Sequence, residues 1–410
     1  MTSPTIRGFY AFQTFSVFGF GIYLPVWMLY LSGKGFDMTD LALQISILGL
    51  VQLAAEIPTG IVADRFSRRA SVAIGQVLLA VRMILVIRAD SFTELALASA
   101  LNGLGLAFSS GATSALLFDA LKAEGRDEDF QRIYGTGLSI GTLATVIGAA
   151  TAGVLIPQFG LVAVLWISGA AHLLGGLIAL TIPEPPFLTA SRQQQGRATF
   201  AQVMGEYGRH LASSVRIVHG STALKALFVM QAILILPPAF TQHYYTQPYL
   251  TTFGYSAAQI SYVYTFLCLV QAALSKYSVA IRTALATEQR TYAAITALVL
   301  IGVVVMAHAP TGLVIIAGLA VTRIAMGLIS PTLQESLNRR LDSGQRASCL
   351  SLATMGQSLL MALCFPFFGH IADTWSVRTS LLVLEAVFIP LLLLTWFAGR
   401  WLRAQKEGPC

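Results

Sequence analysis

The chain holds 410 residues, 55% of them hydrophobic and only 11% charged, with a net charge of +7 and a mean hydropathy of +0.70. A soluble domain carries about 25% charged residues, so this composition excludes one; the positive charge speaks for loop placement, not for nucleic acid. A helical span takes about 20 apolar residues, which leaves room for roughly twelve spans joined by short loops.

After a short polar start holding Arg7, the first span is expected from about Phe9 to Leu31. It is too long for a signal-peptide core and lacks a small-residue cleavage site. Ser32 to Asp40 reads as an outer loop. The second span, Leu41 to Val62, runs into Gly60-Ile61-Val62-Ala63-Asp64-Arg65-Phe66-Ser67-Arg68-Arg69. One acid and three arginines between two apolar segments form a short polar hairpin, and the arginines mark it as cytoplasmic. Gly60 lets two helices approach, and Asp64 can face the positive N-terminus of another helix. Arg65, Arg68 and Arg69 hold the loop at the headgroups. The third span covers Ser71 to Ala89 and the fourth Glu94 to Phe118, followed by a charged inner loop, Asp119 to Arg132. Spans five and six, Tyr134 to Ile156 and Leu161 to Ile182, turn at Pro157-Gln158-Phe159-Gly160.

Residues 1–182 are thus expected as one six-helix bundle, 183–221 as a cytoplasmic connector and 222–410 as a second bundle. Pro183-Glu184-Pro185-Pro186 stops the sixth helix, and Ser191 to Arg197 is polar. From Phe200 to Val218 apolar residues recur at helical spacing, which predicts an amphipathic helix at the inner surface. The second-half spans are expected near Ala223 to Thr246, Ile260 to Arg282, Tyr292 to His308, Leu313 to Glu335, Ser348 to Ile371 and Thr379 to Trp396. Gln13 of span one has a counterpart in Gln231 of span seven, and Gly103 of span four in Gly327 of span ten, at offsets of about 220 residues. A duplicated six-helix unit is the pattern of transporters built from two pseudo-symmetric halves. Basic residues cluster in the loops on one side, with Lys34, Arg88 and Arg378 opposite, so both termini are expected in the cytoplasm.

The loop spacing Gly60-x-x-x-Asp64-Arg65-x-x-Arg68-Arg69, with the duplicated halves, resembles the major facilitator superfamily, and most of all its bacterial twelve-helix drug–proton antiporter branch. The resemblance implies an all-α polytopic membrane protein of twelve transmembrane helices in two pseudo-symmetric six-helix bundles, with the loop acting as a conformational switch. In span five, Gly141, Gly148, Ala152 and Gly153 are similar to that branch's antiporter motif, although Ala149 stands where the motif has proline. A helix-packing role suits these small residues equally well. The family's fourth-span Arg-x-x-x-Gly is here Ser99-x-x-x-Gly103, while Arg323-x-x-x-Gly327 occurs in span ten.

Ionisable residues inside spans are functional candidates by default. Glu56, Arg82 and Arg323 are the candidates for proton coupling, with Arg82 also a candidate salt-bridge partner for Glu56. Phe12, Gln13, Tyr23 and Trp27 of span one, with Gln231, Gln242, Tyr244, Tyr245 and Arg323 of the second half, are candidate cavity residues. Span seven is expected to unwind at Pro237-Pro238. Rings with a few amides suit a large, mostly apolar substrate, cations included. Phosphate loops, zinc motifs and nucleophile elbows do not occur, so neither an enzyme nor an ATP-driven pump is expected. The reading is a secondary transporter of the bacterial inner membrane, exporting amphipathic compounds against protons by alternating access. It needs no metal and no cofactor beyond the proton gradient, binds small molecules and lipid, takes no nucleic acid, and is expected as a monomer. A carrier of a specific metabolite or lipid, or a non-transporting receptor or scaffold, remain the alternatives.

Overall fold

A computed structural model describes residues 3–184, 200–341 and 343–404. Helix α1, Pro4–Tyr23, starts where Ser3 caps the N–H of Ile6 and Pro4 takes a first-turn position that needs no donor. Pro25 then withholds an N–H, and the chain bends by 42° before continuing as α2, Trp27–Gly33. The single first span expected from the sequence is therefore a bent pair. Next come α3, Met38–Arg65, α4, Arg68–Arg88, and α5, Phe92–Ala123. Ser67 caps α4 through the N–H of Ala70, and Ser91 with Glu94 forms a reciprocal capping box on α5. Helix α6, Phe130–Thr181, breaks only at Gly160, whose φ of 74° and ψ of 177° suit glycine alone. That break separates the fifth and sixth spans at the end of the expected turn.

Helix α7 is Phe200–Gly220 and α8 is Thr222–Phe240, with Pro237 and Pro238 in its last turn. Here the backbone does not unwind as the sequence suggested. It stays helical and widens into a π-turn, Thr241–Tyr245, before α9, Thr246–Thr252. Threonine hydroxyls add to the backbone bonds of this turn: Thr241 donates to the Pro238 carbonyl at 2.8 Å, and Thr246 donates to that of Thr241. The remaining helices are α10, Ala257–Leu285, α11, Glu288–Ala307, α12, Gly312–Asn338, α13, Ser343–Thr374, and α14, Val377–Ala404. Among the described residues ten helical stretches are long and apolar enough to cross a bilayer, and the α1–α2 pair adds one more. With α6 divided at Gly160 the described residues hold twelve such stretches, counting the α1–α2 pair as one. Leu138, Leu143, Ile147 and Val154 lie exposed along α6, an apolar flank suited to lipid.

The chain divides into two compact units. The first is Met1–Phe36, Leu43–Tyr207 and Ala257–Thr265, and the second is Asp37–Ala42, Gly208–Ser256 and Phe266–Cys410. In the first unit α1 lies along α6 because small residues let the backbones meet. A Cβ on Gly148 would stand 2.7 Å from the backbone nitrogen of Ile22, and one on Gly21 2.6 Å from the Cα of Thr145. Helices α4 and α5 cross at Gly75 and Gly105, where each glycine faces the other's carbonyl. In the second unit α11 and α12 cross at Gly302 and Gly318 in the same reciprocal way. With no apolar transfer gain available in lipid, such close packing carries the helix association.

Candidate functional site

The α3–α4 turn is an ionic knot. Arg68 bonds the Asp64 carboxylate at 3.0 Å, pairs with Asp119 near the end of α5, and reaches the Ala115 carbonyl at 3.3 Å. Glu184 binds the other side of the turn, accepting from the hydroxyl of Ser67 at 2.5 Å and the N–H of Arg68 at 2.9 Å. Its carboxylate also lies 3.7 Å from Arg69. Asp119 is buried while Asp64 is exposed, so Asp119 is the stronger anchor of Arg68 and Asp64 the more available acid. Arg65 ends α3, half-buried. Gly60 has open space about its Cα, with no atom within 4 Å of an added Cβ.

The second unit carries the corresponding knot with its charges exchanged. Glu288 opens α11 and pairs with Arg340, just past α12, at 3.0 Å. Glu335 holds Arg282 and Arg339 beside it.

Ser99 and Arg323, each four residues before a glycine, also correspond. A Cβ on Gly103 would meet the Leu48 carbonyl at 2.4 Å, so α5 touches α3, and Ser99 donates to the amide oxygen of Gln44 at 2.9 Å. Gly327 brings α12 against α10, its added Cβ 3.3 Å from the Gln271 carbonyl, and Arg323 donates to the amide oxygen of Gln271 at 3.0 Å. Arg323 is 3% exposed.

A cavity of about 430 Å³ lies within the first unit. Phe12, Gln13, Val17 and Phe20 of α1 line it, with Gln52 of α3, Gln76 and Arg82 of α4, Asn102 and Ser109 of α5, and His172 of α6. The Gln76 amide oxygen and His172 Nδ1 are 2.9 Å apart. Arg82 is 2% exposed, and its guanidinium carbon stands 4.4 Å from the ring centre of Tyr23. Its Nε has no hydrogen-bond partner, nor have Ser109 Oγ and His172 Nε2.

The sequence candidates are thus distributed unevenly. Phe12, Gln13 and Arg82 line the cavity, Tyr23 backs Arg82, and Trp27 packs behind Tyr23 with ring centres 6.3 Å apart. Glu56 is half-buried one turn beyond Gln52, followed by Pro58 in the helix. It makes no ion pair with Arg82, which meets an aromatic face instead. Tyr244 and Tyr245 are fully buried in a ring cluster with Phe240, Phe365 and Phe368. Their hydroxyls bond the Met38 carbonyl at 2.6 Å and Ser380 at 2.7 Å. Gln231 and Gln242 of the same segment are half-buried. Of the small residues on α6, Gly148 abuts α1, Gly141 meets Val17 and Gly153 faces the ring of Tyr262, while Ala152 is fully buried. Gln76, Asn102, Ser109 and His172 were missed from sequence. Their signal was available: an amide and an imidazole inside apolar spans need partners or a wet wall.

The family model of the Major Facilitator Superfamily matches residues 9–363. The chain therefore belongs to that superfamily of membrane transporters. It is 29% identical over 167 residues to an uncharacterized transporter of Buchnera aphidicola subsp. Schizaphis graminum (strain Sg), a match spanning 41% of this chain and 39% of the relative's length. Among solved structures it is similar to the nucleoside transporter NupG, with a TM-score of 0.78 and 15% identity, covering 96% of this chain and 98% of the other. It is similar too to a bacterial homologue of the human lysosomal transporter Spinster in an inward-facing and unoccupied conformation. There the TM-score is 0.74 and the identity 14%, over 99% and 98% of the two chains.

Proposed function

We propose that this chain is a proton-coupled exporter of amphipathic, largely apolar compounds, working by alternating access in a bacterial inner membrane with both termini in the cytoplasm. The observation that carries the reading is the first-unit cavity, whose exposed surface is mostly apolar and into which amides, hydroxyls, an imidazole and a guanidinium are set. Its size suits an organic molecule with one or two rings. Glu56 lies one helical turn from the Gln52 wall, an acid near enough for proton loading to bias the cavity's occupancy. The family assignment and the small residues of α6 support a transporter that rocks on packed helices; action as a monomer driven by the proton gradient alone is part of the proposal.

The test is dye flux in proteoliposomes, using an amphipathic dye whose charge does not titrate and protein-free vesicles as the control. An acidic lumen should drive accumulation several-fold above the level reached without a gradient. Equal dye movement with and without the gradient would remove proton coupling from the account.

A further inference from the structure

We propose that the first-unit cavity takes an amphipathic organic acid, its carboxylate seated on Arg82 and its apolar body against Phe12, Val17 and Leu106. This names a substrate class for the transport reading above and rests on it.

Arg82 sits six residues before the end of α4, about 9 Å into the helix, and is 2% exposed. A guanidinium stays charged at any physiological pH, so a buried one needs an anion or a full set of acceptors. The protein supplies neither among the described residues. The guanidinium carbon lies over the Tyr23 ring, 4.4 Å from its centre. A cation–π contact of that kind supplies no hydrogen-bond acceptor or negative charge to the N–H donors, and Nε has no acceptor at all. Of the other polar groups on the wall, the Gln76 amide oxygen faces His172 Nδ1 at 2.9 Å while His172 Nε2 is unpartnered, and neither residue brings a negative charge.

The cavity decides what kind of anion fits. About 430 Å³ is far more than an inorganic ion fills, and most of the cavity's exposed surface is apolar. Ser109 Oγ is a second buried polar atom without a partner on that wall. A planar fork matches a carboxylate through two parallel hydrogen bonds, which strengthen away from water. The sequence suggested rings suited to cations among other guests. An uncompensated arginine repels a cation and makes the acid the favoured guest.

Three probes sharing one dansyl body test this: dansylglycine, its methyl ester and dansylcadaverine, which are anionic, neutral and cationic. Their equilibrium binding to the purified full chain is measured by fluorescence without any gradient. Wild type should bind the acid about 10- to 100-fold more tightly than the ester, and the amine most weakly. In Arg82→Gln the acid-to-ester ratio should fall to about one. Arg82→Lys and Tyr23→Leu, which keep a charge but lose the fork or the ring beside it, should retain only part of the preference. Because the readout is a ratio within one protein, partial loss of folded material does not mimic it. Equal binding of acid and ester by wild type, or an unchanged ratio in Arg82→Gln, overturns the proposal. Arg82-dependent binding without gradient-driven movement would instead refute proton-coupled export and leave the acid seat standing.

Discussion

Arg323 donates to the amide oxygen of Gln271 at 3.0 Å, just as Ser99 donates to Gln44 at 2.9 Å in the first unit. In both places a glycine one turn later lets the neighbouring helix come close enough for the bond to form. The duplicated units share the scaffold and differ in the donor: a neutral hydroxyl in one, a permanent charge in the other. The charge at this second position is the feature that a transport mechanism can use.

Arg323→Lys keeps a charge and loses the planar fork, so transport should fall by roughly tenfold or more, close to the loss in Arg323→Ala. Gln271→Leu removes only the acceptor and should cost about three- to tenfold. Transport rates per molecule of folded protein decide the matter. Wild-type rates in all three variants would reduce Arg323 to a packing residue.

The knot at Arg68 makes a prediction about stability. Asp119→Asn leaves the arginine's charge to the exposed Asp64, with the Ala115 carbonyl beside it, and should lower stability by roughly 1–3 kcal/mol, seen as a thermal shift in detergent. The second unit places its acid on the opposite helix of the pair, with Glu288 opening α11 and Arg340 following α12. The exchange Arg68→Glu with Asp119→Arg should therefore recover part of the loss. A double variant no more stable than Asp119→Asn would argue against the pair as the anchor.

Two glycines separate packing from freedom. Gly148→Ala drives a methyl group to 2.7 Å from the Ile22 nitrogen and should destabilise by about 1–3 kcal/mol. Gly60→Ala meets nothing within 4 Å and should gain roughly 0.5–1 kcal/mol from helix propensity. Thermal melts of the two variants, with transport rates beside them, test this. A loss of transport in Gly60→Ala without loss of stability would show that the glycine is needed for close approach in another conformation.

Glu56→Gln should abolish movement driven by a proton gradient and leave substrate exchange without a gradient intact. Paired uptake and counterflow measurements on the same preparation separate these effects. Full gradient-driven activity in the variant would move proton loading to another acid. Glu385 is a poorer choice, since His308 lies 3.1 Å from its carboxylate.

The spans were readable because apolar length is a local property of sequence, and Gly160 was readable because one residue type suits its backbone. The cavity wall was harder. In a bilayer both the lipid face and the packed face of a helix are apolar, so periodicity does not say which side of α4 or α6 points inward. Gln76 and His172 consequently passed unnoticed, although each is a polar group in an apolar run. Tyr244 and Tyr245 stand in a buried ring cluster, a placement hidden in the sequence because an aromatic side chain looks the same whether it lines a cavity or fills a core. Pro237 and Pro238 announced lost donors correctly, yet that the chain stays helical and widens into a π-turn is visible only in three dimensions.

The most direct test of the account follows protons, not substrate. A pH-reporting dye is sealed inside proteoliposomes whose membrane potential is clamped with potassium and valinomycin. An amphipathic sulfonate, which carries no titratable proton, is then added outside. Proton-coupled antiport predicts that the lumen turns alkaline as the sulfonate enters, that protein-free vesicles do not respond, and that Glu56→Gln abolishes the signal. A lumen that stays constant while the sulfonate enters, or one that acidifies, would contradict the account.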